Sequence, residues 1–370
     1  MPQHESMRTT VPNPGVVPRA KRRRFSAESK VRILSLSGLT LIAFILSMVV
    51  LSSLQVQGAP AQQQSPTVRF VVTGDTRGSD NGVNTQVLGE IVQATVDEAA
   101  DFILITGDLV NGYTDPATLE SQLTTWQATV QPLYSAGIGV YPVRGNHDTG
   151  SNMAWNNVFS GTYALPDNGP SGEENMTFSF THGNVFVVGL DQYGTHYHRV
   201  NQTWLDAQLT SNTQPHVLVL GHEPAFSVRH EGCLDDYPSE RDVFWSSLVA
   251  SGARVYLTGH DHFYNHARLD DGDGDPNDDL HQIVLGTGGA PLYSWNDSYG
   301  GDNGSWAPQL VYHEGAYGYV LVEIEGLNAT LTWKHRTAPG VWEAGGDVFT
   351  YAALIRSFDV VLPIVLRESG

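Results

Sequence analysis

Cysteine is almost missing from this chain of 370 residues, and charged residues are scarce. The single cysteine, Cys233, excludes an intrachain disulfide and a cysteine-based zinc site. Only 16% of the residues are charged and 41% are apolar, which excludes a disordered acidic tail, a coiled coil and a collagen. Basic residues are rare after position 32, where 12 of them accompany 37 acidic ones. A body this acidic repels polyanions, so we expect no nucleic acid polymer as a partner.

The first 61 residues have the pattern of a targeting segment. Eight Lys and Arg residues fall within residues 1–32, and the uncharged stretch Ile33–Leu54 follows them. Its length is close to the ~20 residues that cross a bilayer as a helix, and its basic flank should stay in the cytoplasm. Small residues at Gly58, Ala59 and Ala61 also fit a signal-peptidase site. We therefore expect an extracytoplasmic protein, either secreted after cleavage of a signal peptide or tethered to the membrane by an uncleaved N-terminal helix.

The middle of the chain alternates short apolar runs with apolar positions at helical spacing. The runs predict strands at residues 68–72, 102–105, 138–143, 185–190, 216–220 and 255–257, followed by mostly β structure from 283 to 333. Helices are predicted at 84–100, 115–136 and 202–209, the second opened by Asp115 as N-cap and Pro116 as its first residue. This order predicts an α/β fold with additional β pairing in the second half.

Five of the predicted strands end in glycine followed directly by Asp, Asn or His. The polar residues at these ends are Asp75, Asp108, Asn146-His147-Asp148, His222, and His260 with His262. Ligand sites of open α/β sheets form beyond the carboxyl ends of the strands, and glycine there leaves room for a ligand. Five repetitions of the pattern predict one shared site. Its imidazole and carboxylate groups suit Mn, Fe, Zn or Co.

In this order the motifs resemble the calcineurin-like metallophosphoesterase superfamily, to which the purple acid phosphatases are related. The motifs are Gly74-Asp75-Thr76-Arg77, Gly107-Asp108-Leu109-Val110-Asn111, Gly145-Asn146-His147-Asp148, Gly221-His222 and Gly259-His260-Asp261-His262. The resemblance implies a β-sandwich flanked by helices, a four-layer α/β/β/α fold, around two divalent transition metal ions. The implied organisation is a targeting segment at 1–61, a linker at 62–67, a catalytic domain at 68–346 and a C-terminal tail at 347–370.

The resemblance also implies a role for each matched position. Asp108 would bridge the two ions, Asp75 and His262 would hold the first, and Asn146, His222 and His260 would hold the second. A hydroxide bridging the ions would then hydrolyse a small phosphomonoester or phosphodiester.

His147 would serve this reaction by donating a proton to the leaving alkoxide. Asp148 would orient the imidazole of His147, or would only cap a turn. The rival interpretation is a non-catalytic surface binding protein that keeps the fold with an impaired metal site.

Two positions depart from the family pattern. Many members have a histidine ligand where this chain has Arg77, and arginine offers no lone pair to a metal. Arg77 would either extend into the site and hold phosphate oxygens, or turn outward and leave a weaker first site. Purple acid phosphatases carry an iron-binding tyrosine where this chain has Asn111, so we expect a colourless enzyme. Asn111 would instead form hydrogen bonds within the site or shape the turn.

A run of carboxylates between residues 270 and 279 lies outside these motifs. Asp271, Asp273 and Asp275 have the alternate spacing of a calcium loop. However, Pro276 stands where such a loop has glycine. A calcium site and a solvated acidic turn are both open from the sequence.

Overall fold

The computed structural model describes residues 67–194, 197–296 and 298–353. The predicted targeting segment, linker residues 62–66 and residues 354–370 of the predicted tail lie outside the described residues. Within the described ranges no helix combines the length and the apolar character needed to cross a membrane.

Fifteen strands and five α-helices are formed by the described residues. The strands are β1 (Val68–Thr73), β2 (Arg77–Gly78), β3 (Gly82–Val83), β4 (Phe102–Ile105), β5 (Gly139–Pro142), β6 (Phe178–His182), β7 (Val185–Gly189), β8 (His216–Leu220), β9 (Val255–Thr258), β10 (Tyr264–Asp270), β11 (Leu280–Leu285), β12 (Ala307–Glu314), β13 (Gly318–Glu325), β14 (Asn328–Ala338) and β15 (Val341–Ala352). The helices are α1 (Thr85–Asp97), α2 (Pro116–Ser135), α3 (Asn152–Val158), α4 (Gln202–Ser211) and α5 (Pro238–Ala250).

The strands form two large mixed sheets and one short ribbon. Sheet 1 has the order β15-β14-β13-β1-β4-β5, sheet 2 has the order β12-β10-β11-β9-β8-β7-β6, and β2 pairs with β3. The neighbours β1, β4 and β5 are parallel in sheet 1, as are β7, β8, β9 and β11 in sheet 2. Their carboxyl ends therefore collect at one edge of each sheet, where the polar motifs follow.

Both faces of the central strands are buried, and this explains their continuous apolar runs. In β7, Val185 and Val187 belong to the core that also joins sheet 1 to α1 and α2. Phe186 and Val188 belong to a second core with residues of α4 and α5. The packing thus produces the helix, sheet, sheet, helix layers, and the predicted α/β fold is confirmed.

Local sequence signals explain why the helices begin where they do. The Asp115 side chain accepts a hydrogen bond from the Thr118 backbone at 2.9 Å, and Pro116 opens α2. Asn84 caps α1 by accepting from the Val87 backbone at 3.2 Å. Such caps are each worth about 1 kcal/mol because they satisfy N–H groups that lack a partner within the helix.

Three features differ from the sequence expectations. Strand β15 runs through residue 346, so the predicted boundary between domain and tail falls inside a strand paired with β14. Residues 286–306 form no strand among those the structure describes, although mostly β structure was expected from 283. Helix α5 and strand β6 were not predicted, because α5 has polar and apolar residues without clear periodicity and β6 is half exposed.

Candidate metal centre

The six predicted ligand residues lie together where the two sheets meet. Asp75 and Asp108 follow β1 and β4 of sheet 1, whereas His222 and His260 follow β8 and β9 of sheet 2. Asp75, Asp108 and His260 have positive φ values of 57°, 52° and 74°. Non-glycine residues rarely adopt this conformation, which costs of order 1 kcal/mol or more and is typical of functional sites.

Glycines beside the ligands provide the room for this approach. A Cβ on Gly107, whose φ is +94°, would lie 2.6 Å from the His222 ring nitrogen Nδ1. A Cβ on Gly145 would lie 2.2 Å from Oδ1 of Asp108. A side chain at either position would therefore displace a predicted ligand.

Asp108, Asn146, His222 and His260, here called the second group, have donor atoms at the spacing of a single ion. The Nε2 atom of His222 lies 3.2 Å from Asn146 Oδ1, 3.2 Å from His260 Nδ1 and 3.5 Å from Asp108 Oδ1. Ligands about 2.1 Å from one ion lie about 3.0–3.4 Å from one another. The donor set of the second group therefore fits a divalent transition metal ion.

Hydrogen bonding and charge prepare the second group for a cation. His222 Nδ1 lies 2.8 Å from the Thr106 carbonyl oxygen and donates to it, which leaves the Nε2 lone pair facing the other donors. Burial lowers the pKa of His222, but the carboxylates of Asp108 and Asp75 outweigh burial and raise it above its ordinary value. Burial and the neighbouring His222 hold the pKa of His260 well below its ordinary value, so its imidazole is neutral.

Asp75 and His262 with Asp108, here called the first group, contain fewer usable donors. His262 Nδ1 lies 2.8 Å from the Pro291 carbonyl oxygen, and His262 Nε2 lies 3.4 Å from Asp75 Oδ1. Oδ1 of Asp75 is buried without a hydrogen-bond partner among the described residues. Burial raises the pKa of Asp75, but the adjacent His262 and the charges of His222 and His260 outweigh it and lower the pKa to about 2.

Arg77 extends into the first group. Its Nη2 lies 3.2 Å from His262 Nε2, and its Nε lies 3.5 Å from Asp108 Oδ2. The side chain is only 18% exposed, so the interpretation in which Arg77 turns outward is wrong. A guanidinium therefore lies against two of the three donors of the first group. Asp75 and Asp108 also lie within 4.8 Å of His222, and these three residues form a candidate metal-binding group.

His147 lies beside Asp108 at the open side of the centre. Its Nδ1 donates to the Asn111 carbonyl oxygen at 2.6 Å, and its Nε2 lies 3.8 Å from Asp108 Oδ2. The His147 backbone N–H donates to Asp108 Oδ1 at 3.0 Å. The imidazole therefore has a fixed orientation with Nε2 turned toward the site.

His230, which was not predicted from the sequence, lies near the centre in the loop after β8 of sheet 2. The His230 ring centroid lies 4.8 Å from that of His260, and its Nδ1 lies 2.5 Å from Asp261 Oδ1. His230 also lines a cavity of about 660 Å³ with Asp235 and Trp295 among its walls. No fixed spacing from His222 signals this residue, because the loop after β8 brings it back to the site.

A sequence profile described as calcineurin-like phosphoesterase matches residues 68–264, which is more than half of the chain. This chain belongs to the calcineurin-like phosphoesterase family. As a member it is a metal-dependent phosphoric ester hydrolase, and the family relationship implies a dinuclear metal centre.

Individual relatives of this phosphoesterase include acid phosphatases. Tartrate-resistant acid phosphatase type 5 from Oryctolagus cuniculus is 25% identical over 319 residues, covering 76% of this chain and 92% of that protein. Purple acid phosphatase 18 from Arabidopsis thaliana is 28% identical over 247 residues, covering 63% of this chain and 53% of that protein.

Solved structures show the same fold. A purple acid phosphatase from yellow lupin superposes with a TM-score of 0.59 at 18% identity, covering 78% of this chain and 54% of that one. A dimetal phosphatase from Danio rerio gives a TM-score of 0.51 at 13% identity, covering 78% of this chain and 99% of that one. The phosphoesterase thus spans about half of the lupin and Arabidopsis proteins.

Asp148 does not orient His147 as one of the sequence interpretations required. Its buried carboxylate accepts hydrogen bonds from the backbone of Gly145 at 2.9 Å, Leu109 at 3.1 Å and Val110 at 3.3 Å. Burial and the nearby Asp108 raise the pKa of Asp148 to about 7. Asp148 therefore ties the loop after β5 to the loop after β4, while the Asn111 carbonyl orients His147.

The Asn111 side chain binds the backbone of strand β2. Its Nδ2 donates to the Gly78 carbonyl oxygen at 2.6 Å. The alternative in which this amide forms hydrogen bonds within the site is wrong.

The acidic run after β10 forms a turn, and its three predicted calcium ligands do not converge. The carboxylates of Asp271, Asp273 and Asp275 each accept from the backbone N–H two residues further on, at 3.0, 2.7 and 3.0 Å. The group that does approach is Asp270, Asp271 and Asp279, and Arg268 pairs with Asp279 and Asp270. Among the described residues the turn interpretation is favoured, and the calcium site stays a prediction.

Proposed function

We propose that this phosphoesterase acts outside the cytoplasm and hydrolyses a small phosphomonoester or phosphodiester at the edge of the sandwich. The observation that carries the proposal is the convergence on Asp108. Its Oδ1 lies 3.5 Å from His222 Nε2, and its Oδ2 lies 3.8 Å from His147 Nε2. One carboxylate thus joins a metal-binding group to a histidine able to move a proton.

The ion we propose at the second group is Mn, Fe, Zn or Co, held by Asp108, Asn146, His222 and His260. Such an ion supplies Lewis-acid charge to a phosphoryl oxygen and acidifies a bound water. Asn111 in the place of tyrosine supports a colourless protein, because an amide forms no charge-transfer bond with ferric iron.

Two histidines, His147 after β5 and His230 after β8, lie near the metal centre and are able to transfer protons. We assign His147 as the donor to the leaving oxygen, since its Nδ1–H is bound by the Asn111 carbonyl and its Nε2 is turned to the site. His230 faces the cavity, and its Nδ1 lies 2.5 Å from Asp261 Oδ1. The cavity of about 660 Å³ has room for a small leaving group.

A hydrolysis panel tests the reaction. The metal-free full chain is reloaded with Mn, Fe, Zn, Co or Ca and offered aryl phosphate monoesters and diesters. Turnover with a transition metal, absent with calcium alone, supports the proposal. No turnover of any ester by a protein that retains its metal would support the rival binding protein instead.

Export rests on the basic and apolar pattern of residues 1–61. Fractionation of cells that express the full chain, beside a variant lacking residues 2–61, tests it. The full chain is expected in the medium or the membrane fraction, and the shortened chain in the cytoplasm. Recovery of both chains from the cytoplasm would contradict export.

A further inference from the structure

The first and second groups share Asp108 but differ in what faces their donor atoms. In the second group, the amide oxygen of Asn146, an imidazole nitrogen of His260 and a carboxylate oxygen of Asp108 each lie 3.2–3.5 Å from His222 Nε2. In the first group, the nearest polar neighbour of His262 Nε2 besides Asp75 is the guanidinium of Arg77.

The contact with His262 uses the lone pair that a metal would need. His262 Nδ1 lies 2.8 Å from the Pro291 carbonyl oxygen, so Nδ1 carries a proton and Nε2 carries the lone pair. Arg77 Nη2 donates a hydrogen bond to this Nε2 across 3.2 Å. Because a guanidinium has five N–H donors and no acceptor, it replaces a cation at this point and adds no ligand.

The positive charge of Arg77 also lies beside the carboxylate of Asp108, as the charge of a metal ion would. Arg77 Nε lies 3.5 Å from Asp108 Oδ2, on the opposite oxygen from the one that faces His222. The guanidinium also donates to the Tyr293 hydroxyl at 3.5 Å, and the Tyr293 ring stacks on His262 with 4.1 Å between centroids. The positive group is thereby set among the donors of the first group.

The backbone holds Arg77 in this position. Arg77 begins β2, where it pairs with Val83 of β3. The neighbouring Thr76 donates to the Asp108 carbonyl through its N–H at 3.0 Å and to the Leu109 carbonyl through its hydroxyl at 2.9 Å. On the other side, the Asn111 amide donates to the Gly78 carbonyl at 2.6 Å. The arginine is therefore anchored to the same loop that carries Asp108.

We propose that the Arg77 guanidinium occupies the place of the first ion, so that the protein binds one transition metal ion tightly, at the second group. The fixed positive charge of Arg77 then lies beside the same phosphoryl group as that ion, and the remaining N–H groups on Nη1 donate to its oxygens. This inference rests on the proposed function only for the identity of the bound anion. The metal stoichiometry stands independently.

Metal content of the full-length chain tests the proposal. The protein is loaded with excess Mn²⁺ or Zn²⁺, desalted and assayed by mass spectrometry, and crystals are examined by anomalous scattering. The expected result is one ion per chain at the second group, with the Mn²⁺ electron paramagnetic resonance spectrum of an isolated ion. Two ions per chain with comparable affinity and a coupled Mn²⁺ spectrum would overturn the inference.

Two substitutions separate the removal of a charge from the addition of a ligand. Arg77→His restores an imidazole donor and is expected to bring the tightly bound content to two ions. Arg77→Met removes the guanidinium without adding a donor, and its second ion is expected to bind at least 10-fold more weakly than in Arg77→His. Equal content in the parent and both variants would contradict the role of Arg77.

The stoichiometry and the hydrolysis panel distinguish the two proposals. One bound ion without turnover of any ester leaves the metal inference standing and contradicts the proposed function. Two bound ions with turnover would support the proposed function and contradict the metal inference.

Discussion

Two clusters of histidine and aspartate lie between the sheets of this phosphoesterase, and they differ in how their polar atoms are satisfied. The metal edge consists of the first and second groups. The inner cluster consists of Tyr264, His266, His281 and Asp347, which are all buried. In the inner cluster Asp347 Oδ2 accepts from Tyr264 at 2.6 Å and from His266 Nδ1 at 2.7 Å, and His266 Nε2 lies 2.7 Å from His281 Nδ1.

The comparison separates a structural network from a functional site made of the same residue types. Contacts in the inner cluster join donors to acceptors in pairs, so the network is complete without a ligand. In the second group of the metal edge, Asn146 Oδ1, His260 Nδ1 and Asp108 Oδ1 all lie 3.2–3.5 Å from His222 Nε2. Such an arrangement is unfavourable until a cation enters.

Replacing the central carboxylate of each cluster should give the largest contrast. Asp108→Ala is expected to remove the ion of the second group and to reduce hydrolysis by about 10³-fold or more, because this residue faces both groups. Asp347→Ala is expected to keep the metal and turnover but to lower the free energy of unfolding by about 2–4 kcal/mol, since His266 loses its buried acceptor.

Metal analysis, turnover and urea unfolding of both variants provide the measurement, and the exposed Asp167→Ala serves as the control. If Asp347→Ala lost its metal while Asp108→Ala kept it, the comparison would be reversed.

Removing His147 should affect the reaction while leaving the metal edge assembled. His147→Ala is expected to keep its metal content and to turn over about 10²–10⁴-fold more slowly. The loss should be larger for alkyl esters than for aryl esters, because a poor leaving group depends more on a proton donor. Equal losses on both ester classes would exclude His147 as that donor.

Asp261 should show a smaller effect through His230. Asp261→Asn keeps the shape of the side chain but removes the carboxylate that lies 2.5 Å from His230 Nδ1. We expect turnover to fall about 10–100-fold, because His230 loses the contact that orients its ring. His230→Ala should reach a similar rate, and Asp261→Asn in that background should change it little further. An additive loss in the double variant would place Asp261 in a separate role.

His281 of the inner cluster should give the smallest effect, and this effect should depend on pH. Burial, followed by the charges of His266 and two arginines, lowers the pKa of His281 from 6.5 to about 2. Between these values the unfolded chain binds a proton that the folded chain does not, so stability falls as the pH falls below about 6.5.

His281→Gln removes the group that binds this proton in the unfolded chain. We therefore expect the parent to lose about 1–2 kcal/mol more than the variant between pH 7 and pH 5 in urea unfolding. Parallel losses would show that His281 is not the titrating group.

Much of the metal edge was predictable because its signals are local. Each ligand lies two to four residues beyond the end of a strand, and parallel strands bring such ends together wherever they lie in the sequence. The start of α2 was predictable for a similar reason, since Asp115 and Pro116 act within one turn.

The contacts that depend on loop closure were not predictable. Asp148 adjoins His147 in sequence, but the turn at Asn146–Gly150 directs its carboxylate back to Leu109 and Val110. His230 reaches the centre through the loop after β8, whose path follows from packing. For Arg77 the sequence left an inward and an outward position open, and the two-residue strand β2 decides between them. Periodicity in the sequence contains no information about either path.

The division of the ligands between the sheets has a consequence for how the protein matures. Asp75, Asp108 and Asn146 come from sheet 1, and His222, His260 and His262 come from sheet 2. Neither sheet alone supplies a complete coordination shell, so a cation binds tightly only after the two sheets have packed against each other. A bound cation then links the two sheets, and removing it with a chelator should speed unfolding.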